Sequence, residues 1–155
     1  MTMVQVFESI ESIRAFVGQP AVHGEPIVVD QPTIDAFAAV SQDRQWIHTD
    51  PVRAAAESPF KTTIAHGLLT LSLITGWYQR CFAFPNRKMA LNYGFDKVRF
   101  TGPVPSGSRL TGSFRLSSVV DIQSNEVRCV WEVTVHAEGA ERPVMVATWL
   151  TQVRY

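Results

Sequence analysis

The sequence has no basic run and no excess of either charge: 14 lysines and arginines balance 14 aspartates and glutamates. A protein that tracks a phosphate backbone needs a cationic face, so no nucleic-acid partner is expected. Cysteine is scarce. Cys81 and Cys129 stand far apart and outside any CxxC spacing, which suits a reducing cytosol and reads as two small buried hydrophobes. There is also no run of the ~20 apolar residues that a membrane span needs. The nearest approach, LLTLSLITGWYQRCFAF (Leu68 to Phe84), is interrupted by Thr70, Ser72, Thr75 and Gly76 and broken by Gln79 and Arg80. It reads as a buried core helix. The opening residues, MTMVQVFESIESIRAF, lack the basic start, continuous apolar stretch and small-residue cleavage site of a secretory leader. A soluble, cytoplasmic protein with no membrane partner is expected.

What is there is enough for one core. A chain of 155 residues buries about 70% of the surface its unfolded form exposes. Residues 1–155 are read as a single domain, with no repeat, low-complexity tract or linker. Phe7, Ile10, Ile13 and Val17 recur at helical spacing, with Gly18 as the stop. EPIVVD (Glu25 to Asp30) reads as a short strand. Ile34, Phe37, Ala38 and Ser41 predict a second helix, with Pro32 near its start. Asp50 and Pro51 form a cap and first-turn pair for a short alanine-rich helix.

From His66 to about Phe84 the chain is apolar almost all round, the mark of a helix enclosed on most sides. After Pro85 come four long segments rich in valine, aromatics and threonine: MALNYGFDKVRF, SRLTGSFRLSSVVD, EVRCVWEVTVHAE and PVMVATWLTQVRY. The breaks TGPVPSG, IQSN and GAER have turn composition. Helices first and a strand meander last predict an α+β domain, its antiparallel sheet wrapped around one central helix.

The chemistry concentrates in SQDRQWIHTD, Ser41 to Asp50. On a continuous helix Asp43 and His48 would project about 140° apart. In a turn between two helices both side chains can enter one cleft. Taken singly, Asp43 is an ordinary loop aspartate, His48 an ordinary packed histidine, and Asp50 a helix cap. Downstream, TTIAHGLLTLSLI sets His66 and Gly67 at the start of the most apolar helix. Free N–H groups at a helix N-terminus favour negative charge. Gly67, lacking a side chain, lets a ligand carbonyl approach its amide, although it also suits plain tight packing. Carboxylate, imidazole and amide beside an apolar helix suit water and proton handling next to a polarised carbonyl.

Three elements in order carry a family resemblance: D-x4-H at Asp43 to His48, A-H-G-x-L at Ala65 to Leu69, and DKVRFTGPVPSGSRLTG from Asp96. Together with the VVDQPTIDAFAAVSQD lead-in, the chain resembles the MaoC-like family, specifically its R-specific enoyl-CoA hydratases of the hydratase 2 type. The resemblance implies a hot-dog fold, a homodimer with acyl pockets near its interface, and no metal or other cofactor. The implied reaction is reversible syn addition of water to a trans-2-enoyl-CoA, giving an (R)-3-hydroxyacyl-CoA. Carried over, Asp43 and His48 hold and activate the water, Gly67 N–H polarises the thioester carbonyl, and Thr75 supplies a supporting hydroxyl. The family's usual G-D-x-N-P-hydrophobic-H has Gln42, Gln45 and Trp46 at its glycine, asparagine and proline positions here. That variant resembles the branch including proteins called nodulation protein N, and it bears on substrate more than on chemistry.

Within this reading Gln45 keeps an amide for orienting neighbours, and Trp46 adds a large ring at the pocket. Trp77, Tyr78 and Phe82 are either pocket lining or plain core. Among Arg87, Lys88, Lys97 and Arg99, only Arg99 fits a family-like basic position for the phosphates of coenzyme A. Which of Asp43 and His48 is the base stays open, as do acyl length and the choice between coenzyme A and an acyl carrier protein. Two other functions remain: a hot-dog acyl-CoA thioesterase, and a non-catalytic acyl-thioester-binding protein. A metal site of Asp43, His48, Asp50 and His66 is a further arrangement that the sequence permits.

Overall fold

The computed structural model describes residues 4–155. Met1 to Met3, where the stretch tested for a secretory leader begins, lie outside the described residues. Strand β1 (Gln5–Val6) precedes helix α1 (Ile10–Ala15). Ser9 starts α1 by accepting the Ser12 N–H, while Ser12 Oγ accepts the Ser9 N–H in return. Phe7 and Ile13 point fully into the core, and Gly18 follows the helix at φ +78°. Strands β2 (Val22–His23) and β3 (Ile27–Val29) lead to α2 (Gln31–Ser41), capped by Asp30 through the Thr33 N–H. Helix α3 (Trp46–Thr49) is a single turn. Asp50 then accepts the Arg53 N–H and Pro51 opens α4 (Pro51–Glu57), the arrangement expected of that pair.

Helix α2 ends on Gln42 in the left-handed region, φ 65° and ψ 6°. A glycine adopts this conformation without a Cβ penalty, which explains why glycine suits the position in the sequence pattern above. A left-handed non-glycine residue costs about 1–2 kcal/mol. Gln42→Gly is therefore expected to raise stability by about 1 kcal/mol, read from the midpoint of urea unfolding.

Helix α5 (Gly67–Cys81) leads through β4 (Phe82–Ala83), which pairs parallel with β1, into four long strands. These are β5 (Met89–Phe100), β6 (Ser108–Gln123), β7 (Glu126–Ala137) and β8 (Met145–Arg154). They pair antiparallel in the order β2-β6-β7-β8-β5, with β3 also on β6. The β6–β7 hairpin closes with the Gln123↔Glu126 pair, and Asn125 takes φ 62° in its turn, a residue type that tolerates positive φ. Register shifts at Asn92/Gly94 and Phe95/Lys97 interrupt β5 against β8. Such bulges add curvature, which a sheet needs to wrap a helix. This is the hot-dog fold.

The helix seats on the sheet through Leu69, Ile74, Trp77, Tyr78 and Cys81. Trp77 is wholly buried, donates Nε1–H to the Glu25 carbonyl at 2.8 Å, and lies against Gly112. A Cβ at Gly112 would lie 2.5 Å from Trp77 Cε3. Gly112→Ala is expected to cost about 1–3 kcal/mol through overpacking, measurable by urea unfolding. The opposite side of α5 differs from the all-round enclosure expected. Leu68 is 61% exposed, and Ser72, Thr75 and Gln79 continue the open stripe down the helix. The sheet covers one side of the helix, and among the described residues nothing covers that stripe.

Both cysteines are buried and free, as their isolation in the sequence indicated. Burial pushes the Cys129 thiol up to about 12 and raises Cys81 as well, so neither presents a thiolate near neutral pH. Among the described residues, no helix is long and apolar enough to cross a membrane.

Candidate active site

Three backbone hydrogen bonds fix the strand-like segment before α5. Ile64 N–H donates to Ile47 O at 3.0 Å, Ala65 N–H to Val104 O at 2.8 Å, and Ser106 N–H to Thr63 O at 2.9 Å. His66 and Gly67 therefore emerge beside α3 rather than in open solvent. From the other side, Gln31 Nε2–H donates to the His48 carbonyl at 2.7 Å, and Gln31 Oε1 accepts from the Thr63 hydroxyl. The side chain of Gln31 thus ties the start of α2 to both α3 and this segment.

His48, 8% exposed, has its Nδ1 2.7 Å from Ile64 O. A carbonyl oxygen only accepts, so Nδ1 carries the hydrogen and Nε2 keeps a free lone pair. Asp43 lies in the loop before α3. Its backbone N–H donates to Ser41 Oγ at 3.3 Å and its side chain is exposed. A carboxylate oxygen of Asp43 and one ring nitrogen each of His48 and His66 lie within 4.8 Å of one another. The bend thus brings together the carboxylate and imidazole that a continuous helix would separate.

Gly67 is the first residue of α5, with no side-chain cap on that terminus. First-turn amides have no intrahelical partner and carry the positive end of the dipole. Gly67 shares with His48 a cavity of about 180 Å³, lined also by Thr70, Phe100, Pro103 and Val144. The cavity walls are mostly apolar, and its polar features are the imidazole, the helix terminus and Thr70. A polarised carbonyl on an apolar tail fits that composition.

The other expected residues stand elsewhere. Thr75 lies eight residues along α5 from Gly67, a rise of about 12 Å, and donates its hydroxyl to Ser72 O at 2.9 Å. It lines a separate groove with Tyr78, Leu91, Asn92 and Trp149. Trp46 lies under the Arg53 guanidinium, 4.4 Å from its ring centroid, and is not among the residues lining the His48 cavity. Gln45 sits at the N-terminus of α3 with no side-chain cap bond, and its backbone N–H donates to Asp43 Oδ1 at 3.4 Å. Arg99 is exposed and donates Nη1–H to its neighbour's carbonyl at Val98. Trp77 is core, while Tyr78 bridges core and groove.

His66 is the histidine of A-H-G-x-L, and the family pattern above gives it no role in the reaction. Its ring stacks on His48 with centroids 3.8 Å apart and planes within 24°, and its Nε2 lies 2.9 Å from the Asp43 carbonyl oxygen. The sequence signal was its place beside Gly67, which does not say where the ring turns.

Two imidazoles and a carboxylate at this separation are a donor set that divalent transition metals accept. The stacking argues against their joint use. Imidazole lone pairs lie in the ring plane, and nearly parallel rings direct them along adjacent planes instead of toward one ion about 2.1 Å from each nitrogen. One nitrogen of each ring is also engaged with a carbonyl. Asp50, the fourth residue of the sequence arrangement, is the cap of α4.

A curved sheet around a central helix, with the Asp43 carboxylate gathered against His48 and His66 beside the start of that helix, defines a hot-dog protein. Residues 12–139 match the family model described as the MaoC like domain, and the chain belongs to that family. It is 43% identical over 148 residues to nodulation protein N of Rhizobium leguminosarum bv. viciae, covering 95% of this chain and 92% of the relative. It is 39% identical over 152 residues to 3-hydroxyacyl-thioester dehydratase Z of Mycobacterium tuberculosis, covering 98% and 99%. The unliganded structure of the R-hydratase PhaJ1 from Pseudomonas aeruginosa superposes with a TM-score of 0.68 at 28% identity, over 87% of this chain and 79% of that one.

Proposed function

We propose that this protein catalyses the reversible syn addition of water to a trans-2-enoyl thioester, forming an (R)-3-hydroxyacyl thioester. One observation carries the reading: the Asp43 carboxylate and the His48 ring lie within 4.8 Å, with His48 lining the cavity that Gly67 also lines. The relatives named as a dehydratase and an R-hydratase support it.

The hydrogen bond at Ile64 leaves His48 Nε2 as an acceptor, and an ionised Asp43 also accepts. A water between them donates both hydrogens, which turns its oxygen lone pairs toward C3 of the substrate. As the O–C3 bond forms, one acceptor takes a proton, and the electron pair of the C2=C3 bond moves into the thioester as an enolate. The Gly67 N–H hydrogen-bonds that oxygen. The pair then returns a proton to C2 on the face that received the hydroxyl, so one water is added in total. The reverse sequence dehydrates. Thr75, Arg99 and Trp46 lie outside the cavity that His48 and Gly67 line, so the water step is assigned to Asp43, His48 and Gly67.

The open stripe on α5 and the apolar exposed residues of edge strand β5, Leu91 (45%) and Tyr93 (55%), support a homodimer. Long apolar edges left bare invite uncontrolled pairing, and a second copy removes that hazard. Light scattering on the purified protein reads the mass directly.

The test of the activity is an assay against trans-2-enoyl-CoAs from short to long chains, with chiral separation of products. An (R)-3-hydroxyacyl product supports the proposal. Free thiol without hydration moves the reading to a thioesterase, and saturable binding without turnover moves it to a carrier protein.

A further inference from the structure

We infer that His66 is a positioning residue that holds the Asp43 loop and the His48 ring in register. The geometry is independent of any family pattern. His66 is 3% exposed, and it occupies the position directly before α5. Its Nε2 lies 2.9 Å from Asp43 O, an acceptor, so Nε2 carries the hydrogen and donates it. That bond crosses from the start of α5 to a loop whose other bonds are local: Asp43 N–H to Ser41 Oγ at 3.3 Å, Gln45 N–H to Asp43 Oδ1 at 3.4 Å, the Thr49 hydroxyl to Arg44 O and Gln45 O at 3.3 and 3.2 Å, and His48 N–H to Gln45 O at 3.0 Å.

The same ring lies between Phe37 of α2, tilted at 54° with centroids 5.0 Å apart, and His48 of α3, on which it stacks at 3.8 Å. His66 is thus the common contact of three elements: the loop bearing the carboxylate, the turn bearing the imidazole, and the terminus bearing the Gly67 amide. Its Nδ1 is buried and has no hydrogen-bond partner among the described residues. A neutral ring donating from Nε2 has a bare Nδ1, so the tautomer that holds Asp43 is also the one that buries no unpaired donor. His66 itself need not touch substrate.

Two substitutions separate the hydrogen bond from the ring. His66→Gln keeps an N–H near the Nε2 position and loses the stacked ring. His66→Phe keeps a flat ring between Phe37 and His48 and loses the donor. The catalytic readout rests on the hydratase reading above. Misplacing a reacting group by about 1 Å costs on the order of 10²-fold in rate. His66→Phe is expected to lower kcat by about that factor with KM within about threefold, and His66→Gln to recover most of the loss. Unchanged kcat in His66→Phe, or equal losses in both variants in step with lost folding, overturns the inference.

A second readout needs no turnover. In protein labelled with ¹³C and ¹⁵N, wild-type His66 is expected as the Nε2–H tautomer and His48 as Nδ1–H. The Asp43 carbonyl resonance should shift in His66→Phe and stay near wild type in His66→Gln. A protein without hydratase activity that nonetheless gives this carbonyl pattern removes the proposed reaction and leaves the positioning role. An Asp43 resonance indifferent to His66→Phe removes the positioning role, whatever the activity.

Discussion

Asp43→Asn is expected to lower the turnover of enoyl-thioester hydration by about 10²- to 10⁴-fold, the range that a positioned proton-transfer group contributes. Asparagine matches aspartate in shape and keeps one oxygen acceptor, but its NH₂ offers a donor where the water must also donate. It also cannot hold a proton. The Asp43 side chain is exposed, so the substitution should leave stability within about 0.5 kcal/mol. That separation of activity from folding makes it the cleaner of the pair.

His48→Gln is expected to fall by a similar factor in turnover, with a stability cost that Asp43→Asn lacks. His48 is buried and donates to Ile64 O, and a buried acceptor left without its donor costs about 1–3 kcal/mol. The comparison is therefore made on kcat per folded molecule, with unfolding followed by circular dichroism on the same samples. Near-wild-type hydration by either variant removes that residue from the water-handling pair. Loss in both together with unchanged KM is what a group acting in the transition state predicts.

The parts of this fold that the sequence announced are those set by local pattern. Strand β5 occupies Met89–Phe100, the segment read from its composition, and Asp50 caps α4 as its position before Pro51 predicts. The parts that stayed hidden depend on distant partners. Strands β1 and β4 are two residues each, and exist because Gln5 and Val6 meet Phe82 and Ala83. Helix α3 has four residues, too few for any periodicity to register, yet it carries His48. The pairing of Asp43 with His48 was legible as a spacing that only a bend can reconcile. What the spacing could not contain was the second ring, because the stacking of His66 on His48 follows from the backbone bonds that pin Ile64 to Ile47 and Ala65 to Val104. Thr75, expected from the resemblance as a supporting hydroxyl, stands about 12 Å along α5 from Gly67 and lines a different groove.

Gly67→Ala is expected to cut kcat/KM by about 10²-fold while the fold survives. Gly67 is not at positive φ, so backbone freedom is not why glycine stands there. Space is. A Cβ at this position would lie 2.8 Å from both Cδ2 and Cγ of Phe100, the last residue of β5. The Phe100 ring is 48% exposed and lines the cavity, so it can swing aside, but its movement reshapes the wall over the amide. The added methyl also crowds the approach of a carbonyl to the N–H. Overpacking costs about 1–3 kcal/mol, partly offset by up to about 1 kcal/mol of alanine's helix preference. The double variant Gly67→Ala/Phe100→Ala divides the effect: it restores the space without removing the methyl from the amide's side. Recovery of tenfold or more attributes the loss to the displaced ring, and no recovery attributes it to blocked access at the N–H. A Gly67→Ala protein with wild-type kcat and KM would mean that the substrate carbonyl binds somewhere other than this helix terminus.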